Sequence, residues 1–414
     1  MRPISIIFLF SLCLMAEDID ELLGGFEEDS SKVELNITDV KSKPYKIELS
    51  QQLLYSKAKS PHNGIYSAKT SIFFEIKQKI LDNFKFKANA KAYYDYLYDK
   101  NSKEFTKEEL REFRDEFWIY DLYLEGALSS NLDIKVGRQV VVWGKSDSIR
   151  VTDILNPLDN RLIGLVDIED LRLPIGMVKF DYYLKNWRIT PIGIFEQQFT
   201  KNPPFGSQFY ILPHKIPSQK EPSSPSYALN VAGEFDRFDI DLYLARVYPQ
   251  NLFGSPPVNK TSKVDFYGSS FNFVNGNILY KGEIAYFNGL EYLNYGGDHR
   301  RFDFLVGLEY NGFRDTKISL DSSKRDLRDL DINLYQSAFR FTRDFLNSTL
   351  HANYLAVING KKLDKGGFQR AWIEYDIDDK TSINFGFVDY IGGDFITDRI
   401  KNSDTLFFEL NYFL

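Results

Sequence analysis

The sequence predicts an all-β fold: a transmembrane antiparallel β-barrel of about 16–18 strands, with short periplasmic turns and long extracellular loops. Three observations carry that expectation. Aromatic residues make up 16% of the 414, with 35 Phe and 26 Tyr, yet mean hydropathy is −0.33. Past the N-terminus no apolar run reaches the roughly 18 residues that a membrane helix needs, so the apolar content is spread over short alternating segments. The chain then stops on one such segment, "DTLFFELNYFL", in which Leu406, Phe408, Leu410, Tyr412 and Leu414 share a face.

The N-terminus, "MRPISIIFLFSLCLMA", has one basic residue, an apolar core from Ile4 to Met15 and a small residue at Ala16. That is the layout of a secretory signal peptide, expected over 1–16 with cleavage after Ala16. Cleavage removes Cys13, the only cysteine, so no disulfide is available. It also removes Arg2, taking the formal charge from −7 to −8 (one positive charge fewer). Mild acidity of this kind gives no support for nucleic-acid binding.

Residues 17–43 form an acidic periplasmic segment with a small apolar centre at Leu22, Leu23 and Phe26. It reads as a solvated leader or as a short docking peptide for a periplasmic or inner-membrane partner. Asn36 within it sits in Glu34-Leu35-Asn36-Ile37-Thr38, which fits the acid-extended bacterial N-glycosylation sequon.

The barrel is expected over 44–414. Its first strand lies near 45–55. In "FKFKANAKAYYDYLYD" the residues Phe84, Phe86, Ala88, Ala90, Ala92, Tyr94, Tyr96 and Tyr98 share a face, with lysines and aspartates mostly opposite. In "DEFWIYDLYLEGAL" the apolar face is Trp118, Tyr120, Leu122, Leu124 and Leu128, against Asp121 and Glu125. "FDIDLYL" and "AWIEYDI" repeat the rule. Tight turns fall near Asp82-Asn83, Ser130-Asn131, Lys185-Asn186, Asp236-Arg237, Asn275-Gly276, Asn311-Gly312, Asp344-Phe345 and Asp379-Lys380. Longer polar segments at 99–114, 144–173, 198–225, 248–262, 291–300, 322–332 and 392–403 separate these hairpins. Short turns at one rim and long loops at the other are an outer-membrane arrangement, and place the protein in the bacterial outer membrane. The terminal strand resembles the signal that barrel-assembly machinery reads, so that machinery and outer-membrane lipid are expected partners.

No residues point to catalysis, a metal or a cofactor. His62, His214, His299 and His351 do not pair at metal-ligand spacing, and no G-x-S-x-G nucleophile elbow is present. Charge is concentrated instead in "VGRQVVVWGKSDSIRVTDILNPLDNR", residues 136–161. A strand over 132–143 climbs to the long-loop rim at Trp143, and Gly144 permits a sharp reversal there. Asn156-Pro157 makes a second break. Between them Ile149, Val151, Ile154 and Leu155 can anchor a folded segment. Loop 144–173 is therefore expected either to fold inward and narrow the lumen, or to pack on its own apolar residues outside. In the first case Arg138, Trp143, Lys145, Asp147, Arg150, Asp153, Asn156, Asp159 and Arg161 form the constriction, their opposed charges setting a transverse field. Strict alternation aims Arg138 at lipid; a bulge at Gly137 would turn it into the lumen beside an acidic residue of the loop.

The stretch "GRQVVVWGKSDSIRVTDILNPLD", with Gly137, Arg138, Gln139, Trp143, Gly144, Asp153, Asn156, Pro157 and Asp159, resembles the signature of a family of outer-membrane barrels of unknown function. "DIEDLRLP" and "KNPPFGSQFY" fit the same family, and the resemblance is strongest over 132–210. Members are commonly encoded beside inner-membrane RND-type exporters and a lipoprotein. The resemblance thus implies export or transfer of a hydrophobic or amphipathic compound with those partners. A porin for small hydrophilic solutes and a structural or adhesive surface barrel are the other readings. In the segment 199–225, Phe205, Phe209, Tyr210, Ile211 and Leu212 form a patch, read as packing between loops or as an aromatic lining at the mouth.

Overall fold

The computed structural model describes residues 44–56, 64–166, 168–212, 215, 220–250, 258, 261–292, 295–394 and 396–414. The expected signal peptide, the acidic segment with Asn36, His62 and His214 lie outside the described residues.

Eighteen antiparallel strands close into a barrel. The first nine are β1 (Tyr45–Ser56), β2 (Gly64–Leu81), β3 (Phe84–Asp95), β4 (Asp115–Ser129), β5 (Leu132–Gln139), β6 (Ile175–Leu184), β7 (Trp187–Ile194), β8 (Ser226–Glu234) and β9 (Phe238–Val247). The second nine are β10 (Val264–Asn275), β11 (Ile278–Glu291), β12 (Asp298–Phe313), β13 (Thr316–Leu327), β14 (Ile332–Phe345), β15 (Leu350–Asn359), β16 (Gly367–Asp378), β17 (Thr381–Ile391) and β18 (Thr405–Phe413). Each pairs with its sequence neighbours, and β1 against β18 closes the wall, with Glu48 opposite Phe413 and Ser56 opposite Thr405. Closure leaves no free edge.

Alternation sets the two faces. Phe74, Phe117, Leu242, Ile373 and Phe387 are exposed on the outer surface, with Phe117 at 68%. Asp241, Lys281, Glu283, Arg301, Asp303, Asp321 and Arg370 are buried on the inner one. An apolar exterior over a charged interior is the inverse of a soluble protein and suits a lipid solvent. No described helix is long and apolar enough to cross a membrane.

Several sequence expectations shift locally. β3 stops at Asp95 instead of running to Tyr98. The Asp95 carboxylate accepts hydrogen bonds from the Leu97 and Ala68 amides, at 3.0 and 3.1 Å, and caps the helix Tyr96–Lys100. Trp118 and Tyr120 are not on the outer face with Leu122. The β3–β4 register slips between Ala88 and Ala90, so Asn89 faces both Tyr120 and Asp121. This bulge puts Phe117 and Ile119 outside, and it is held by the Asp121 amide donating to Asn89 Oδ1 at 2.7 Å. Residues 322–327, expected in a loop, complete β13. Ser322, Lys324 and Asp326 pair with Val306, Phe304 and Phe302, so ladder bonding rather than apolarity holds them. The turn expected at Asn311-Gly312 lies instead between Phe313 and Thr316.

Candidate functional site: the inner segment and its lumen contacts

Strands β5 to β9 are 8 to 10 residues long, against 18 in β2 and 16 in β12. The chain leaves the wall at Gln139, four residues earlier than the sequence suggests, and rejoins it at Ile175. The intervening segment, 140–174, reaches wall strands β4, β9, β11 and β13.

One carboxylate gathers four of the segment's hydrogen bonds. Glu283 of β11 is only 2% exposed. Its Oε1 accepts the Lys145 and Ser146 amides at 2.7 and 2.9 Å, and its Oε2 accepts the Thr152 amide and hydroxyl at 3.0 and 2.7 Å. Charge-assisted bonds to backbone N–H groups are strong when buried. Gly144, at φ +89°, makes this approach feasible: a Cβ there would lie 2.9 Å from both Glu283 oxygens. The Gly144 amide donates to the Tyr243 hydroxyl of β9 at 3.2 Å, and Ser146 Oγ donates to Asp321 of β13 at 2.6 Å.

Trp143 does not stand at a rim. It is buried, stacked on Tyr243 with 4.6 Å between ring centroids, and lies 6.1 Å from Phe266. Lys145 pairs with Asp241 at 2.9 Å. Asp147 pairs with Lys281 at 3.1 Å and Lys317 at 3.6 Å, and Glu309 joins both lysines at 2.9 and 3.2 Å. Burial alone would raise the Asp147 carboxyl, but the two ammonium groups outweigh it and hold it below the usual carboxylate range.

The remaining charges of the stretch brace the segment internally. Asp153 accepts from Arg172 Nε at 2.8 Å and pairs with Arg150 at 3.0 Å. Asn156, 0% exposed, ties the two feet together. Its Nδ2 donates to the Gln139 and Leu173 carbonyls at 3.2 and 2.9 Å, and its Oδ1 accepts the Val141 amide at 2.9 Å. Arg161 is held by Asp159 at 2.9 Å, by Glu116 of β4 at 2.7 Å and by the Glu112 carbonyl at 2.6 Å. Burial pushes Asp159 up, yet the Arg161 bonds prevail and its carboxyl is depressed.

Arg138 departs from expectation. The β4–β5 register runs without a shift at Gly137, which takes φ +127°. Arg138 stands opposite Leu122 in that register, but its guanidinium lies against the Trp118 ring, which is off the outer face. Its carboxylate partner is not in 140–174. Nε lies 3.5 Å from Glu196, beyond β7, and Nη2 donates to the Pro174 carbonyl at 3.1 Å. The Trp118 ring is flanked by this guanidinium at 5.0 Å and by Lys201 Nζ at 3.9 Å.

Residues 195–212 pack beside the segment. The Lys201 amide donates to the Leu158 carbonyl and the Asn160 amide to the Lys201 carbonyl, each at 2.8 Å, and Lys201 Nζ pairs with Glu116. Phe209 is 1% exposed, its ring centroid 5.5 Å from that of Tyr390. Phe205, Tyr210, Ile211 and Leu212 also fall in this stretch, and Phe205 meets Tyr210 edge-on at 5.3 Å.

Sequence reasoning missed Glu283, Tyr243, Lys281, Glu309 and Asp321. Their signal was present, as charged or hydroxylated residues on the polar face of a strand. Which of them meets the segment is decided by barrel closure and register. Among the described residues no group of three or more His, Cys, Asp or Glu is arranged to hold a metal.

The barrel resembles outer-membrane porin structures. OccAB1 of Acinetobacter baumannii aligns with TM-score 0.55 and 9% identity over 89% of this chain and 96% of that one. OpdK of Pseudomonas aeruginosa, in its crystal structure with vanillate, gives 0.55 and 9% over 89% and 98%. OccK8 (OprE) of the same organism gives 0.51 and 12% over 89% and 98%. Identities this low establish the fold, and the apolar exterior places that fold in the outer membrane. No curated protein matches the sequence. Residues 62–300, more than half of the chain, match a family described as "Protein of unknown function (DUF1302)". This outer-membrane β-barrel belongs to the DUF1302 family.

Proposed function

We propose that the protein is an outer-membrane channel whose lumen is narrowed by 140–174, passing small solutes selected by charge and shape. An 18-strand wall encloses a water-filled bore unless something folds into it. The observation that carries the reading is Glu283: a buried carboxylate on β11 that binds three backbone amides and a hydroxyl of a segment rooted in β5 and β6. Lys145, Asp147, Lys281, Glu309 and Asp321 then set charges of both signs where the bore is narrowest, the arrangement that discriminates solutes in a pore. Charged lumen walls favour small polar or ionic solutes over lipid. The fold shared with OpdK, crystallised with vanillate, agrees with passage of small molecules.

The test is conductance in planar bilayers containing the refolded full-length chain. Small, steady ohmic steps in KCl support a narrowed channel; an electrically silent barrel overturns it. The finer proposal, transfer of an amphipathic compound with an RND-type exporter and a lipoprotein, is supported by the sequence resemblance over 132–210. Its test is co-purification of such partners from the native envelope, and their absence after cross-linking counts against it. Recognition of Leu406, Phe408, Leu410, Tyr412 and Leu414 by assembly machinery is likewise proposed. Replacing Phe408 and Tyr412 by Ser should cut the amount of folded barrel in the outer membrane, and an unchanged amount would refute that role.

A further inference from the structure

The outer face of the wall is not apolar all the way round. On β12 the outward positions Tyr310, Leu308, Val306, Phe304 and Phe302 make an unbroken apolar column, with Leu308, Val306 and Phe304 exposed. The next strand begins the same way, with Ile318 opposite Tyr310 and Leu320 opposite Leu308, and then turns polar. Ser322, Lys324 and Asp326 occupy the rows of Val306, Phe304 and Phe302, and β14 continues those rows with Ser337, Tyr335 and Asn333. The Ser322 and Ser337 hydroxyls share a hydrogen bond of 2.9 Å, and Asp326 pairs with Arg328 at 3.2 Å. Lys324 forms neither an ion pair nor a hydrogen bond with a described residue. An outer-membrane wall presents an apolar band about 25 Å tall. Strand β12 supplies that column, whereas β13 and β14 supply only its periplasmic part.

A second polar patch lies four strands on. Asp389 of β17 follows Phe385 and Phe387 on the outer face, and Asp404 precedes Leu406 there. The two carboxyl groups lie side by side. Gln369 of β16 donates to Asp389 at 2.7 Å and accepts from the Tyr354 hydroxyl of β15 at 2.8 Å, and the Tyr390 amide donates to Asp404 at 2.9 Å. Neither carboxylate forms an ion pair with a described residue. Neighbouring like charges on one face of a sheet repel, so this patch calls for a cation.

Acyl chains satisfy neither patch. Anionic headgroups suit Lys324 but are repelled by the Asp389–Asp404 pair, and a basic partner protein has the opposite difficulty. A second copy of this chain answers both, because it carries both signs. The heights also agree. Lys324 stands eight residues above the foot of β13 at Thr316 (324 less 316), and Asp389 eight above the foot of β17 at Thr381 (389 less 381). Rotation about an axis along the membrane normal keeps every residue at its own depth, and closed symmetric assembly of identical chains uses such an axis. That rotation lays the β13–β14 flank of one copy on the β17–β18 flank of another. Leu320 and Phe339 then meet Phe387 and Leu406 below the charges.

We propose that the outer face of β13–β18 is an interface between copies of this chain in the outer membrane, with Lys324 of one copy against Asp389 and Asp404 of the next. The association is independent of the channel reading.

Disulfide trapping in intact outer membranes tests it. Two differently tagged full-length chains, one carrying K324C and the other D389C, are co-expressed with C13S in both, since Cys13 is the sole cysteine. Within one chain the two positions are four strands apart, about 19 Å at roughly 4.8 Å per strand, too far for a disulfide. Mild oxidation should give a covalent pair that holds both tags, and either variant expressed alone should give none. In a separate pair of proteins without added cysteines, K324D should lose the oligomer band seen after glutaraldehyde treatment of the membranes, and K324D with D389K should regain it. If K324D does not fold, the cysteine pair still decides. A wholly uncross-linked product, equal cross-linking of K324C with itself, or a double reversal that stays as monomeric as K324D overturns the interface and leaves these patches to lipid headgroups or another protein.

Discussion

Glu283 and Asn156 show how single side chains fix the segment. Replacing Glu283 by Ala would leave two half-buried amides, the buried Thr152 amide and the Thr152 hydroxyl without their acceptor, a cost of up to roughly 1–3 kcal/mol per unsatisfied group. The segment should detach rather than bear it, so E283A is expected to raise conductance several-fold in planar bilayers while the strands stay intact by circular dichroism. Asn156→Ala removes three bonds that join the feet, and should lower stability by about 2–4 kcal/mol, read from urea unfolding of the detergent-folded barrel. The pH dependence follows from Asp147 and Asp159, both depressed in the folded chain. Their stabilisation is complete above the unfolded aspartate value of about 3.9 and is lost as pH falls through the lower folded value. Conductance should therefore stay flat from pH 7 to about 4 and rise only in stronger acid. A rise already at pH 6 would remove these carboxylates from the explanation. Arg138 teaches a different lesson. A charge on an otherwise apolar face suggested a bulge at Gly137, but the register is continuous there, and Glu196, remote in sequence, supplies the counter-charge.

At the scale of elements, strands were legible because a wall between lipid and water imposes a period of two. The first strand at Tyr45–Ser56, the last at Thr405–Phe413 and most tight turns follow from alternation and turn residues alone. The reading failed where another force overrode the pattern. Tyr94, Tyr96 and Tyr98 continue the alternation of β3, yet the Asp95 carboxylate caps a helix and stops the strand. Trp118 and Tyr120 switch sides because one extra residue opposes Asn89. The upper part of β13 is polar on its outer face and so looked like a loop. The segment 140–174 was legible as something folded, from its apolar residues and the break at Asn156-Pro157. Its partners were not, because they come from β9, β11 and β13. Trp143 anchors the element: W143A should cost about 3–5 kcal/mol by emptying the contact with Tyr243 and Phe266. The measured readout is the urea midpoint at unchanged slope, and a loss under 1 kcal/mol would mean the stacking carries little.

For the whole molecule, two opposed demands meet. Eighteen strands make a wide bore, and a permeability barrier needs a narrow one. The short strands β5 to β9 bear on this, because chain not used to heighten the wall is spent on 140–174 and 195–225. The fold class follows from composition and alternation, whereas the proposed constriction follows only from closure, which brings Glu283 to the segment. The central claim is that 140–174 limits flow. It is tested most directly by single-channel KCl conductance of the refolded full-length chain beside a variant in which 141–173 is replaced by a short Gly/Ser linker. The account predicts small ohmic steps for the parent and steps several-fold larger for the variant. Equal steps from the two proteins would contradict it.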